Sequence, residues 1–305
     1  MDKNNTPFNT PILFVIFNRE DTTKKVFEAI RNIKPSKLYI ASDGPRLNKE
    51  GEVDICNRVR QITENIDWSC EVKRKYSEKN IGCKLNMSGA IDWLFENEEQ
   101  GIILEDDCLP NESFFYFCQE LLEKYKDIDE VKMISGDNFQ FGNKYGEASY
   151  FFSKFPNIWG WATWKRAWTN YDIDMKTYPE FKKTNKIKNI FSDKRIQKFM
   201  IRLFDKLYEN KMNTWAGRWV YAIYNNNGIC ISPNVNLISN IGFGNTSTNT
   251  KKEDDILNNI PTESLENIIH TESIIVNNKA DTFLFEKVFY KSFIQKVFNK
   301  IKNIF

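Results

Sequence analysis

Short apolar runs alternate with helical patterns over roughly the first 140 residues. Residues 12–17 form an apolar run, and the segment after it places Val26, Ile30 and Ile33 at helical spacing. The predicted strands cover residues 12–17, 37–42, 70–76, 101–105 and 132–136, and the predicted helices cover about 22–33, 50–65, 83–95 and 111–122. This alternation predicts an α/β fold with a doubly wound, mostly parallel sheet and helices on both faces.

The regular alternation weakens after about residue 140. Residues 157–164 are dense in Trp and Gly, and residues 251–282 are polar. The predicted organisation is one domain over 1–250, with a first half at 1–140 and a second half at 141–250, then a linker over 251–282 and a C-terminal helix over 283–305.

The predicted C-terminal helix is amphipathic and basic. Its apolar residues keep helical spacing, and Glu286 is its single acid. Five basic residues lie between the apolar ones: Lys287, Lys291, Lys296, Lys300 and Lys302. This pattern favours binding to an anionic membrane surface, and a helix docked on the domain or on a partner subunit is the alternative. With neither a signal-peptide pattern nor a stretch of ~20 apolar residues, we expect a cytoplasmic protein, peripheral on the inner face of the cell membrane.

Composition narrows the possible chemistry. The chain has 305 residues, of which 43 are basic and 41 acidic, so the net charge of +2 gives no reason to expect a nucleic-acid partner. The single histidine, His270, excludes sites built on several histidines. The six cysteines show no Cys-x-x-Cys spacing, which argues against zinc ribbons and redox motifs.

Polar residues follow three of the predicted strands. Asn18 and Arg19 follow the first, Asp43 follows the second, and residues 105–107, Glu-Asp-Asp, close the fourth. Because ligands of such sheets bind beyond the carboxyl ends of the strands, we expect these side chains to converge. Three consecutive acids repel one another, and a divalent cation is the usual neutralising partner, although a solvated acidic turn is the alternative. The chain contains neither a Gly-x-Gly-x-x-Gly nor a Walker motif.

The strand-end acids, the following Pro110 and the aromatic helix at 114–117 resemble the nucleotide-sugar site of GT-A glycosyltransferases. The resemblance covers about residues 10–250 and is closest to the N-acetylglucosaminyltransferase I type and its bacterial relatives. It implies a GT-A-like fold and a metal-dependent, inverting transfer of a sugar from a nucleotide-diphospho-sugar donor. The implied donor is a UDP-sugar such as UDP-N-acetylglucosamine, the acceptor a glycan or a lipid-linked precursor, and the metal Mn²⁺ or Mg²⁺.

The same resemblance implies a role for each acid. Asp107 would be the metal ligand, Asp106 would contact the ribose, and Glu105 would order metal-bound water or the sugar. Four further residues would contact the donor: Asn18 and Arg19 at the nucleotide, Asp43 at the uracil edge and Lys84 near the diphosphate. The alternative for these four is an ordinary surface charge or a turn cap.

The acceptor half should supply a catalytic base and aromatic contacts. Related enzymes carry an Asp where this chain has Ala216, so another carboxylate would have to act as the base. The candidates are Glu105, Asp137, Asp205 and Glu209. The predicted acceptor-binding residues are Trp159, Trp161, Trp215 and Arg218, with core packing as the alternative for the Trp159 and Trp161 segment.

Two other functions remain open. A nucleotidyltransferase would share the sheet, but it usually has a Gly-rich basic loop after the first strand, and residues 18–21 lack one. A non-catalytic nucleotide-sugar or carbohydrate-binding protein is favoured by Ala216. It is also favoured by Asn249, which stands where bacterial relatives would carry a His.

Overall fold

The computed structural model describes residues 8–243 and 256–290. The strands in this part of the chain are β1 Ile12–Ile16, β2 Lys37–Ser42, β3 Glu71–Tyr76, β4 Gln100–Glu105, β5 Cys108–Pro110, β6 Val131–Ser135, β7 Tyr150–Ser153, β8 Trp161–Trp164, β9 Ile229–Pro233 and β10 Ile238–Asn240. The α-helices are α1 Glu20–Ile33, α2 Glu52–Ile62, α3 Cys83–Asn97, α4 Glu112–Lys124, α5 Lys165–Trp168, α6 Tyr178–Lys183, α7 Ile187–Ile190, α8 Lys194–Tyr208, α9 Ala216–Asn225 and α10 Asn278–Leu284. A π-helical turn, Phe285–Phe289, follows α10 directly.

Eight of the described strands form one sheet, in the order β3-β2-β1-β4-β8-β6-β9-β7. The pairs β2–β3, β1–β2, β1–β4 and β6–β9 are parallel, and only β8 and β7 run against the direction of the rest. A separate antiparallel pair joins β5 to β10. The predicted α/β class with a mostly parallel sheet is therefore confirmed.

The sheet is covered on both faces, as predicted. In β1, Leu13 and Val15 pack in a cluster with the apolar side of α3, whereas Phe14 and Ile16 pack with α1 and α4. Successive strand residues point to opposite faces, and all five β1 residues are buried. Such a strand must be apolar throughout, which explains the continuous run at 12–17.

The strand β8 was not predicted. It inserts antiparallel between β4 and β6, where Trp161 lies opposite Ile103 on one side and Ser135 on the other. Its four residues are all buried. A strand of four residues rich in Trp has no clear alternation to indicate it, so the sequence alone suggested only an aromatic segment.

The segment predicted as a linker lies along the domain wherever the structure describes it. Glu263 N–H donates to Asn236 O at 2.8 Å, Ile269 O accepts from Ser149 N–H at 2.8 Å, and Asn277 N–H donates to Phe152 O at 2.8 Å. The division of the domain into two halves stays a prediction.

The predicted C-terminal helix is described only to residue 290. The described part comprises the end of α10 and the π-helical turn, where Phe285 is buried and its ring lies 5.7 Å from that of Phe199. Residues 291–305 lie outside the described residues. Across 8–243 and 256–290, none of the helices has both the length and the apolar character that crossing a bilayer requires.

Candidate functional site

A pocket of about 450 Å³ opens at the carboxyl ends of β1, β2 and β4. Arg19 after β1, Asp43 after β2, and Glu105 and Asp106 at the end of β4 all line it. Parallel strands present these ends at one edge of the sheet, so side chains distant in sequence meet there. The convergence predicted from the strand ends is thus present in the structure.

Two carboxyl groups contact the guanidinium of Arg19 at this pocket. Arg19 is hydrogen-bonded to Asp107 and lies 3.5 Å from Asp106 Oδ1. The backbone N–H of Phe17 donates to Asp106 Oδ2 at 3.1 Å. Burial raises the pKa of Glu105, and the charges of Asp107 and Asp106 raise it further; burial also raises the pKa of Asp106, against the charge of Arg19. Ionising all three acids beside a single arginine is therefore costly, and a bound cation would lower that cost.

Asp107 is suited to bind such a cation, but not as part of a closed cage. In the described residues, no cluster of three or more His, Cys, Asp or Glu side chains could hold a metal ion. At nucleotide sites, however, Mg²⁺ takes one or two carboxylates from the protein and its remaining ligands from phosphates and water. Gly242 passes against Asp107 so closely that a Cβ there would lie 2.2 Å from Asp107 Oδ2. Asp107 could therefore serve as one carboxylate ligand of a divalent cation whose other ligands come from phosphates and water. Asn249 lies outside the described residues.

Asp43 holds the loop that forms one wall of the pocket. Its Oδ1 accepts from Ile81 N–H at 2.9 Å, and its Oδ2 accepts from Gly82 N–H at 3.0 Å and from the Asn80 amide at 3.0 Å. Because both of its oxygens accept hydrogen bonds from this loop, Asp43 positions the loop. It has no unpaired oxygen left for the predicted contact with a uracil edge. Lys84 lies in the first turn of α3, but the residues of that turn that line the pocket are Cys83 and Asn86.

A buried carboxylate that was not among the predicted site residues holds the part of the pocket wall that carries Arg46. Glu52, only 2% exposed, accepts from Asn18 Nδ2 at 2.9 Å and from Arg46 N–H at 2.7 Å and Nε at 2.8 Å. The hydrogen bonds from Arg46 lower the pKa of Glu52 to about 2. Arg46 lines the pocket, whereas the predicted nucleotide contact Asn18 is turned toward Glu52. The sequence did contain an indication of Arg46 as a site residue, because Arg46 ends the turn that follows strand β2.

Three of the four predicted acceptor contacts lie in the interior instead. Trp161 and Trp215 are 1% and 2% exposed, and their rings stack with centroids 5.7 Å apart. Arg218 is 1% exposed and donates to the carbonyls of Ile173, Thr214 and Leu207 at 2.7–2.8 Å. These groups stabilise packing and are not placed to bind an acceptor.

Trp159 alone of the four is part of a cavity wall. Its ring lies 5.0 Å from that of Phe139 and 5.7 Å from that of Phe243, the residue next to Gly242.

The predicted base candidates lie in different surroundings. Glu105 is in the pocket, beside Asp107. Glu209 is exposed and forms an ion pair with Lys211 at 2.6 Å, and Asp205 is engaged by the hydroxyl of Tyr178 and the ammonium of Lys182.

Asp137, 1% exposed, differs from these. Its Oδ2 accepts from Trp159 N–H at 3.4 Å, and its Oδ1 has no hydrogen-bond partner in the described part of the chain. Burial raises the pKa of Asp137 well above its usual range.

Asp137 and Ala216 line the same second cavity, of about 340 Å³. Ala216 is the position where related enzymes would carry the base. Contacts connect this cavity to the strand-end acids: its wall residue Trp159 packs on Phe243, and the adjacent Gly242 lies against Asp107.

No family model and no curated protein matches the chain. Solved structures that it is similar to include the mannosyltransferase PcManGT from Pyrobaculum calidifontis in complex with GDP-Man and Mn²⁺, at 10% identity over 53% of this chain and 48% of that one, with a TM-score of 0.33. The galactosyltransferase LgtC with donor and acceptor sugar analogues gives 9% identity, 70% coverage of both chains and a TM-score of 0.37. The apo-form glycosyltransferase GlyE of Streptococcus pneumoniae gives 13% identity, 73% and 44% coverage and a TM-score of 0.33.

The chain thus spans about half the length of two of these structures. They are glycosyltransferases, as the sequence resemblance predicts, and none of the three is described as an N-acetylglucosaminyltransferase. With TM-scores of 0.33, 0.37 and 0.33, these likenesses do not assign a family or an activity to this chain.

Proposed function

We propose that this protein is a glycosyltransferase that moves a sugar from a nucleotide-diphospho-sugar, a UDP-sugar, to a glycan or lipid-linked acceptor with inversion. One observation carries the proposal. Arg19 and the acids at 105–107 meet at the carboxyl edge of the sheet, around a pocket large enough for a small ligand. A surplus of carboxylates beside an arginine suits a donor whose diphosphate arrives with a divalent cation.

In this proposal the donor residues have distinct tasks. Asp107 would hold Mn²⁺ or Mg²⁺, which supplies positive charge to the departing diphosphate. Arg19 neutralises Asp107 in the free protein and would turn to the phosphates once the cation takes its place. Asp106 and Glu105 would bind the ribose and the sugar, and Arg46 would flank the nucleotide.

We assign the role of catalytic base to Asp137. Its Oδ1 lacks a partner among the described residues, and Asp137 is a lining residue of the same cavity as Ala216, the position at which the usual carboxylate is missing. A base must accept a hydrogen bond from the acceptor hydroxyl, and an oxygen without a partner would be available to accept it. Because burial raises the pKa of Asp137, turnover should increase with pH as this carboxyl group loses its proton.

The acceptor is proposed to be associated with a membrane on its cytoplasmic side. The supporting feature is the run of lysines among apolar residues in 283–305. Liposome sedimentation tests it: the full chain should sediment with anionic vesicles and not with neutral ones, and a chain ending at residue 282 should remain in the supernatant. Equal sedimentation of both chains would contradict it.

The decisive experiment combines calorimetry with an assay of UDP release. Wild type should bind UDP in the presence of Mn²⁺ and release UDP from at least one member of a UDP-sugar panel. Asp107→Ala should abolish turnover and weaken UDP–Mn²⁺ binding, whereas the matched control Asp127→Ala, at an exposed position, should leave both unchanged. Turnover that survives Asp107→Ala would refute the assignment.

A non-catalytic binding protein is the second candidate, because Ala216 removes the expected base. The same experiment separates the two functions. Binding of UDP with Mn²⁺ but no release from any donor, with or without added acceptors, would support the binding protein.

A further inference from the structure

Helix α8 presents a row of basic side chains to solvent. Its buried residues are Ile196, Met200, Phe204 and Leu207. On the other side, four exposed basic residues follow one another at intervals of four, which places them along one face of the helix. We refer to them as the α8 basic row: Lys194, Lys198, Arg202 and Lys206. At 1.5 Å per residue, the row is about 18 Å long.

Within the described part of the chain, no acid pairs with the α8 basic row. The acids in and next to α8 pair with other basic groups, in the pairs Asp193–Arg195, Asp205–Lys182 and Glu209–Lys211. Five of the 15 residues of α8 are basic and one is acidic, whereas the whole chain has a net charge of only +2. Positive charge is therefore concentrated on this helix.

The basic C-terminal segment begins beside the same helix. Arg195 of α8 pairs with Glu286 at 2.8 Å, and its guanidinium lies 5.4 Å from the ring centre of Tyr290, where the described part of the chain ends. The sequence that follows, 291–305, contains four lysines and no acid. Because like charges repel, neither this segment nor the same helix of a second chain complements the row, whereas an anionic partner does.

Aromatic groups accompany the row at the surface. The ring of Phe289 lies 5.7 Å from that of Phe199 in α8, and Phe289 is 38% exposed. Tyr208, at the end of α8, is 44% exposed. Membrane interfaces favour this combination, because basic groups reach the lipid phosphates while aromatic rings lie at the level of the headgroups. Basic and aromatic groups together therefore favour a lipid surface over a purely ionic partner.

We propose that the α8 basic row docks the protein on a membrane rich in anionic phospholipids, and that it acts together with the lysines of 283–305. A straight row of charges can face a flat layer of lipid phosphates along its whole length, and each basic residue close to such a layer strengthens binding. A single weak attachment gives only marginal binding, so the row is expected to strengthen the attachment through 283–305 without replacing it.

The chain runs directly from α8 to the proposed donor pocket. Asn213, five residues beyond the end of α8, lines that pocket. Five residues span at most about 18 Å, so a membrane in contact with α8 would be close to the donor site. This would bring a lipid-linked acceptor near the pocket. That consequence rests on the proposed function, whereas the binding of α8 to lipid does not.

The test measures sedimentation of the full chain with vesicles of phosphatidylglycerol and phosphatidylcholine. Lys198→Gln with Arg202→Gln removes two charges from the middle of the row and should weaken binding about 25-fold, at about fivefold for each basic residue. Lys24→Gln with Lys25→Gln is the matched control, because it removes the same charge from exposed positions of α1, on the other face of the sheet. The control should bind like wild type, and so should the charge-conserving exchange Lys198→Arg with Arg202→Lys.

Vesicle binding of the α8 variant equal to that of wild type would overturn the proposal. An equal loss in the α1 control would also overturn it, because only the net charge would then matter. Heparin, a soluble polyanion, provides a second arm: if the α8 variant loses affinity for heparin but not for vesicles, the row binds a soluble partner and the proposal is wrong. Urea unfolding midpoints equal to that of wild type establish that the variants are folded, as expected for Gln at exposed helix positions.

UDP calorimetry on the same samples separates this proposal from the proposed function. The α8 variant should bind UDP with Mn²⁺ like wild type. Weakened vesicle binding by the variant of a chain that never binds UDP would refute only the proposed glycosyltransferase. UDP binding together with vesicle binding that the substitutions leave unchanged would refute only the docking surface.

Discussion

Replacing Glu52 by Gln tests whether a buried ion pair organises the wall of the donor pocket. The substitution keeps the size of the side chain and an oxygen for Asn18, and it removes the charge that Arg46 contacts through its backbone N–H and its guanidinium. Because Glu52 is 2% exposed and Arg46 lines the pocket, the loss should appear both in stability and in nucleotide binding.

The magnitude follows from the pKa of Glu52, which the contacts with Arg46 lower from 4.5 to about 2. At about 1.4 kcal/mol per pH unit this shift corresponds to at most about 3 kcal/mol at pH 7. The Arg46 side chain is 42% exposed, and water screens part of the interaction, so we expect a loss of about 2 kcal/mol.

The pH dependence has a definite sign. A lowered acid pKa means that the folded state favours the ionised form, so this contribution is complete above pH 4.5 and disappears as pH falls toward 2. The difference in unfolding free energy between wild type and Glu52→Gln should therefore shrink between pH 6 and pH 3.

Urea denaturation at several pH values measures this difference, and calorimetry should show weaker UDP–Mn²⁺ binding by the variant. Glu20→Gln is the matched control, because its ion pair with Arg58 lies at the surface, where water screens the interaction and the pair contributes little to stability. A stability difference that stays constant across the pH range, or one no larger than that of the control, would refute the reasoning.

Three further predictions address other parts of the molecule. Gly242→Ala should displace Asp107 and weaken UDP–Mn²⁺ binding at least about tenfold, because the new Cβ would lie 2.2 Å from Asp107 Oδ2. Gly89→Ala, which has open space around the new Cβ, is the control and should bind like wild type. Equal affinities of the two variants by calorimetry would contradict this. Burial raises the pKa of Asp281 from 3.8 to about 6, so the folded state favours the protonated form. The stability of wild type relative to Asp281→Asn should therefore fall by up to about 3 kcal/mol as the pH rises from 4 to 7. A stability difference that does not change with pH in denaturant titrations would contradict this prediction. Arg218→Met should cost about 3–5 kcal/mol in urea denaturation, because it leaves buried carbonyls unpaired, and a loss below 1 kcal/mol would contradict its interior role.

The strands and their ends show which features of the fold and the site can be predicted from the local sequence pattern. A strand buried on both faces must be apolar along its whole length, so residues 12–17 and 101–104 were visible in the sequence. The carboxyl ends of parallel strands meet at one edge whatever the details of packing, so Arg19 and the acids at 105–107 could be expected together.

Which polar atoms are free could not be predicted in this way. Asp43 and Asp137 both follow strands and look alike in the sequence, yet both oxygens of Asp43 bind a loop 37–39 residues further along the chain, whereas Asp137 keeps one oxygen unpartnered among the described residues. Likewise, Trp161 is buried in the core because β8 lies between β4 and β6, an arrangement that the sequence did not predict.

Periodicity, burial on both faces and the meeting of strand ends are properties of short segments and their order, so the sequence contains them. The partner of a hydrogen bond, the insertion of a strand and the shape of a cavity depend on segments far apart in the chain that become neighbours only when the core has packed. That is why the acids of the site were foreseen from residues 105–107, and why Glu52, Arg46 and the cavity beside Asp137 were not.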